Sequence, residues 1–125
     1  MEGTTGTLQH SNYNLLLPKL LRLAVEFLLQ LDKEKHFIFA VNDTVAPGYS
    51  KIIRHPMAIE TIRSKIDTHV YKSLDDLHDD VLLIVKNCLT YNPIDSPFSK
   101  VSIPFHLTSF IITYRINVIH RQQYD

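Results

Sequence analysis

The densest group of side chains that could do chemistry is the run Asp75-Asp76-Leu77-His78-Asp79-Asp80. Four carboxylates beside an imidazole raise the possibility of a metal site. On a helix Asp75 shares a face with Asp79, and Asp76 with Asp80. The dipole of a helix draws acids to its first turn, however, and that accounts for the run without a metal ion. The seven histidines fall at no ligand spacing such as HExxH. A hydrolase built on His55 or His78 with a nearby acid has no nucleophile motif to support it. Three glycines could hardly form a phosphate-cradling loop, and no P-loop is present. Cys88 sits on an apolar helical stripe and reads as a buried thiol rather than a nucleophile. Asn92 precedes a proline, where a polar residue usually marks only the end of a helix. The expectation is a protein that catalyses nothing and carries neither metal nor cofactor.

Composition narrows the class. The chain has 125 residues, room for one domain. A domain of this size buries roughly 65–70% of its unfolded surface, enough for a core without disulfides. Lysine plus arginine balances aspartate plus glutamate at 13 each, so no long-range field draws the chain to nucleic-acid phosphate. A single cysteine excludes an internal disulfide and suits a reducing, intracellular setting. The apolar stretch 15–31 contains Pro18, Lys19, Arg22 and Glu26 and falls short of the ~20 apolar residues a bilayer requires. Arg22, Glu26 and Gln30 lie at i, i+4 and i+8, a solvated stripe on an otherwise buried helix. No basic region precedes it, so a signal peptide is not expected either.

The elements that must position any site are helices. Residues 1–12 are polar and aperiodic and read as a flexible tail ahead of a bundle over 13–121. Asn14 could cap a first helix with Pro18 in its first turn. Leu17, Leu20, Leu21, Ala24, Phe27, Leu28 and Leu31 give that helix a core face, with Lys33 and Lys35 in its last turns. Over 36–55 the helical period disappears, yet Phe37, Phe39, Val41, Val45, Tyr49, Ile52 and Ile53 remain. A loop so rich in large apolar side chains must pack onto something, and long packed loops are usually functional. A short helix follows with Ile59, Ile62 and Ile66. Ser73 opens a capping pattern with Asp76, and Leu74, Leu77, Val81, Ile84, Val85, Cys88 and Tyr91 give the cleanest period in the chain, ending at Asn92-Pro93. Ser96-Pro97 begins a last helix with two apolar stripes: Val101, Phe105, Ile112, Ile116, Ile119, and Ile103, Leu107, Ile111, Tyr114, Val118. Two stripes predict burial over much of its circumference, and Pro104 predicts a bend that strands the carbonyl of Lys100. The fold class is all-α, with four helices and one long loop between the first two.

The motifs Phe37-x-Phe39-Ala40-Val41, Ala46-Pro47-Gly48-Tyr49-Ser50, Ile52-Ile53-Arg54-His55-Pro56-Met57 and Asn87-Cys88-x-x-Tyr91-Asn92 occur in the order and spacing of the bromodomain family, which the chain resembles from about residue 27 to 100. The APGYS segment looks closest to bromodomain subunits of SWI/SNF-type chromatin remodellers. The resemblance implies a left-handed four-helix bundle that binds acetylated lysine. By the family pattern Phe37 forms a shelf beside the pocket, Val41 and Val45 line it, Tyr49 holds a bridging water and Asn92 anchors the acyl oxygen next to Tyr91. Phe98, six residues after Asn92, falls at the gatekeeper position. It further implies a nuclear location, an acetylated histone peptide as ligand and remodelling-complex subunits as partners. The chain departs from the pattern at Ala40, where the family has proline, and at Ala58, where an aspartate would cap the second helix. The link between the first helix and Phe37 is short, and similarity fades beyond Lys100. A bundle serving only as a protein–protein scaffold, its pocket degenerate, is the alternative reading.

The chemistry of such a pocket can be argued directly. Burying an unpartnered lysine ammonium among apolar side chains costs several kcal/mol. Acetylation removes the charge and leaves an amide with one strong acceptor. Walls of Phe37, Val41, Val45 and Phe98 would accept the modified side chain and reject the free one. An asparagine amide can donate to the carbonyl without bringing a charge. A tyrosine hydroxyl such as that of Tyr49 can reach the same oxygen through water.

Overall fold

The computed structural model describes the backbone of residues 2–124 and the side chains of 15–116 and 118. Its elements are α1 (Glu2–Leu31), α2 (Tyr49–Ile52), α3 (Ile59–Asp67), α4 (Leu74–Tyr91) and α5 (Pro97–Tyr124). Helices α1, α3, α4 and α5 form the bundle, with α4 and α5 sharing the broadest contact and α1 lying against the other three. The fifth, α2, is a single turn inside the long loop and leans on α4. The described residues contain no strand, and no helix among them is long and apolar enough to cross a membrane.

The core draws on the apolar periods of every helix. Leu17, Leu21, Ala24, Val25 and Leu28 of α1 meet Ile59, Ile62 and Ile66 of α3 and Leu74, Leu77, Val81, Ile84 and Val85 of α4. Arg22, Glu26 and Gln30 are exposed, as their shared face predicts. On α4 the Ser73 hydroxyl accepts the Asp76 N–H at 3.2 Å while the Asp76 carboxylate accepts the Lys72 N–H at 2.8 Å. Asp80, one turn further along the run, takes the Tyr71 hydroxyl and the Lys65 ammonium. Among the described residues no three His, Cys, Asp or Glu side chains gather as a metal would need.

The helix boundaries differ from expectation at the two ends of α1, each for a local reason. α1 begins at Glu2, so Asn14 is not its cap and Pro18 lies inside it. No proline lies between Glu2 and Asn14, and propagation from a nucleated segment needs only one hydrogen bond per residue, which carries the helix through Gly3 and Gly6. At its other end α1 stops at Leu31, ahead of Lys33 and Lys35, because Asp32 folds the chain back. The buried Asp32 carboxylate accepts the N–H groups of His36 and Phe37, both at 2.8 Å, and Lys35 takes the left-handed conformation at φ 57°. The start of α3 lacks a capping side chain at Ala58, and the loop supplies the cap instead. Carbonyls of Phe37 and Ile38 accept the Ile59 and Glu60 N–H groups at 2.8 and 3.0 Å. Two of the four donors that a helix start leaves open are thereby satisfied.

α5 starts as Ser96-Pro97 predicts, with the Ser96 hydroxyl accepting the Ser99 N–H at 3.1 Å. It then runs through Pro104 to Tyr124. Proline has no N–H to offer the Lys100 carbonyl, and we keep a local bend there as a proposal on that ground. Burial of both stripes does not hold. Phe105 is buried and Ile112 and Ile116 are half-buried, but Ile103, Leu107, Ile111 and Tyr114 face solvent, and the side chain of Ile119 lies outside the described residues. Ser99, Ser102, Ser109 and Thr113 occupy the buried face, where small side chains let α5 approach its neighbours closely. The Ser102 hydroxyl is satisfied locally by the Ser99 carbonyl at 2.8 Å.

Between α4 and α5 the rings of His78 and His106 stack at 5.4 Å, with Phe110 at 5.2 Å from His78. His78 Nδ1 and His106 Nε2 are buried without partners. Burial and the neighbouring His106 hold the His78 pKa below its ordinary 6.5, against the opposite pull of Asp79 and Asp75. A histidine with a depressed folded pKa contributes fully above the unfolded value and loses that contribution as pH falls through 6.5 toward the folded value. The melting temperature should therefore drop between pH 7 and about 5. His78→Phe should flatten that slope in melts across the range; an equally steep slope in the variant would remove His78 from the account.

Candidate functional site

The long loop folds over one end of the bundle and is fastened there by side chains far apart in sequence. Asn87 on α4 donates to the His55 carbonyl at 2.8 Å. Tyr91, a turn further on, donates its hydroxyl to the Pro47 carbonyl at 3.0 Å. Within the loop the Asn42 side chain accepts the Val45 N–H at 3.0 Å, and Asp43 accepts both the Ser50 N–H at 2.7 Å and its hydroxyl at 2.6 Å. Those Ser50 donors hold the Asp43 carboxyl below the usual carboxylate range. Gly48 caps α2 with φ 74°, a conformation in which a side chain is strained even though nothing lies within 4 Å of a Cβ placed there.

This fastening leaves a cavity of about 390 Å³ between the loop, the C-terminal end of α4 and the first turn of α5. All seven residues singled out from sequence line it: Phe37, Val41, Val45, Tyr49, Tyr91, Asn92 and Phe98. Lys35, His36, Phe39, Ala46, Met57, Ile84 and Cys88 complete the lining. Phe37 is part of the core, its ring 4.9 Å from that of Phe105. Tyr49 is buried with its ring edge-on to Tyr91 at 5.1 Å, and burial raises its phenol pKa above the ordinary 10.0. Val41 and Val45 stand at the mouth, Val45 being 79% exposed. Phe98 is also part-exposed and rests edge-on against the His36 ring at 4.6 Å.

Asn92 leaves α4 in extended geometry, φ −95° and ψ 144°, as a residue before proline should. Its backbone N–H and its side-chain amide both donate to the Cys88 carbonyl, at 3.0 and 3.1 Å. The same amide nitrogen lies 3.8 Å from the Cys88 Sγ, so a ligand oxygen needs to displace only that weak sulfur contact to receive the second amide proton. Burial pushes the Cys88 thiol pKa up, against the opposite pull of the nearby Ser102, Asn92 and Ser99 side chains. No Asp or Glu lines the cavity, and Lys35 is its one formal cation. Such a space favours a neutral, largely apolar chain ending in an acceptor, and offers an ammonium no counter-charge.

Asp32 and Asn87 were not selected as functional residues from sequence, although both position the site. Asp32 immediately follows the last apolar residue of α1 with backbone donors close behind, which is the local signal of a side-chain turn. Asn87 bonds a carbonyl 32 residues away, which no local pattern reveals. His36 shows no sequence signal for its contact with Phe98.

Comparison with known proteins agrees with this geometry. A family model described as Bromodomain matches residues 20–102. Bromodomain-containing protein 9 of Mus musculus is 43% identical over 84 residues, covering 65% of this chain and 14% of that protein. Bromodomain-containing protein 7 of Gallus gallus is 39% identical over 71 residues, 57% of this chain and 11% of that protein. The chain thus spans about one seventh or less of these relatives. The solved bromodomain of human BAZ1A superimposes with a TM-score of 0.73 at 26% identity, covering 78% of this chain and 92% of that one. Bromodomains are left-handed four-helix bundles and act as acetyl-lysine reader modules. From its motifs, its bundle and these matches, the chain belongs to the bromodomain family.

Proposed function

We propose that the cavity beside Asn92 is where this bromodomain reads acetyl-lysine, in acetylated histone tails within nuclear chromatin. The observation that carries the reading is the lining itself: apolar walls, one neutral amide at a helix end, two phenols and no acid. The acyl stem lies along Phe37, Val41 and Val45, the amide of Asn92 donates to the acetyl oxygen, and Tyr49 reaches that oxygen through water. Tyr91 acts indirectly, by tying the loop at Pro47. No step of bond making or breaking is involved, in keeping with a family of reader modules. Attachment to a chromatin-remodelling complex is the setting proposed for the parent protein.

Calorimetry with acetylated and unmodified forms of one histone peptide tests this. A single mark buries little surface, so micromolar or weaker binding is expected for the acetylated form and none for the free lysine. Equal binding of both forms would refute it.

Phe98 closes the mouth, and its removal uncovers one side of the acyl stem. Phe98→Ala should weaken peptide binding by about 1–3 kcal/mol and relax discrimination against longer acyl chains. Because Phe98 is part-exposed, the melting curve should barely move. Unchanged affinity in that folded variant would mean the ring does not touch ligand.

A further inference from the structure

Over 102–114 helix α5 turns small polar residues and Phe105 inward and five large side chains outward. Ile103, Leu107, Phe110, Ile111 and Tyr114 are 46%, 54%, 49%, 53% and 61% exposed. At 100° per residue these five share one face, opposite the buried Ser102, Phe105, Ser109 and Thr113. Ile103, Leu107, Phe110 and Tyr114 recur at spacings of four, three and four, the rhythm by which two helices interlock knobs into holes. Half-exposed side chains of this size give the stripe roughly 500 Å² of apolar surface. A patch of that size on a soluble domain often serves as an interaction site.

The charge pattern points to what covers it. From Val101 to Tyr114 the helix carries no Asp, Glu, Lys or Arg. His106, its one imidazole there, is turned toward His78 on α4. Such a face offers a charged partner nothing to pair with, and it presents an identical copy with no like charge within the stripe. Lys100 and Arg115 are exposed and bound it at either end. A standard interface needs about 800 Å² per partner, with an apolar centre and a polar rim. The stripe supplies the centre, and the exposed flanks of α5 around it can supply the rim.

We propose that α5 is a self-association surface, through which two copies of this chain pair about a twofold axis. The same patch on each copy then meets itself, as an isologous interface requires. Pairing is independent of the acetyl-lysine pocket, so either reading can fail without the other.

Sedimentation velocity of the 125-residue chain across the micromolar range tests this. The expected result is a reversible monomer–dimer equilibrium that added salt leaves unchanged or strengthens, because the nearest charges are like charges. Leu107→Glu should raise the dimer dissociation constant at least about tenfold, since the carboxylate would be buried without a partner. Its helical circular dichroism and its affinity for acetylated peptide should stay unchanged. Leu23→Glu, at an exposed apolar position on α1, should dimerise like wild type and so controls for unspecific stickiness. The proposal is overturned by a chain monomeric throughout, by open-ended aggregation in place of a dimer, by a Leu107→Glu variant as dimeric as wild type, or by equal disruption in Leu23→Glu.

Discussion

Asn92→Ala is expected to lower affinity for an acetylated peptide roughly tenfold to a hundredfold, leaving the fold intact. The variant deletes the one direct donor proposed for the acetyl oxygen, and a buried carbonyl without a partner costs about 1–3 kcal/mol. Stability should hold for two reasons. The backbone N–H of residue 92 still reaches the Cys88 carbonyl at 3.0 Å, and φ −95°, ψ 144° is open to alanine. Asn92 also fills no part of the core clusters. Asn92→Asp separates shape from chemistry, because an ionised carboxylate of the same size cannot donate; it should bind as poorly as alanine. Calorimetry paired with a melting curve checks both parts. Wild-type affinity in either variant contradicts the proposed role.

Asp32→Ala should produce the largest loss of stability among single changes outside the apolar core. Asp32 is 5% exposed, and its two carboxylate oxygens separately accept the His36 and Phe37 N–H groups at 2.8 Å. These bonds hold the turn that brings Phe37 into the cavity wall and presents its carbonyl to α3. Removing the acceptor leaves two donors unpaired, a loss of about 2–4 kcal/mol after water has reached part of the site. For a domain of this length the melting temperature should fall by on the order of 10 °C. Peptide affinity should weaken too, although Asn92 is untouched, because the Phe37 shelf is no longer fixed. Asp32→Asn retains one carbonyl acceptor and should fall between the two. A melt indistinguishable from wild type would show that the turn holds itself.

How much of this was legible in the sequence varies by element. The strict period of α4 and its Ser73 cap were readable because the determinants are local and mutually consistent. The seven site residues were readable only through the order of motifs around the loop, since taken singly Asn92 looks like a helix stop and Phe98 like a core anchor. What required the fold were contacts across the chain: Asn87 on the His55 carbonyl, and the Phe37 and Ile38 carbonyls that replace a capping side chain at Ala58. The second stripe of α5 misled for a related reason. Periodicity shows that Ile103, Leu107 and Ile111 lie together, but which side meets the core depends on what α1 and α4 present. Here the side bearing serines packs inward.

The most direct test of the central claim is a titration of the isotope-labelled chain, followed by NMR, with one histone peptide in acetylated and unmodified form. Addition of the acetylated peptide should shift resonances of Val41, Val45, Tyr49, Asn92 and Phe98, with the side-chain amide of Asn92 among the largest. The unmodified peptide should leave them in place at the same concentrations. Equal shifts from both peptides, or shifts confined to surfaces away from these residues, would contradict acetyl-lysine recognition in this cavity.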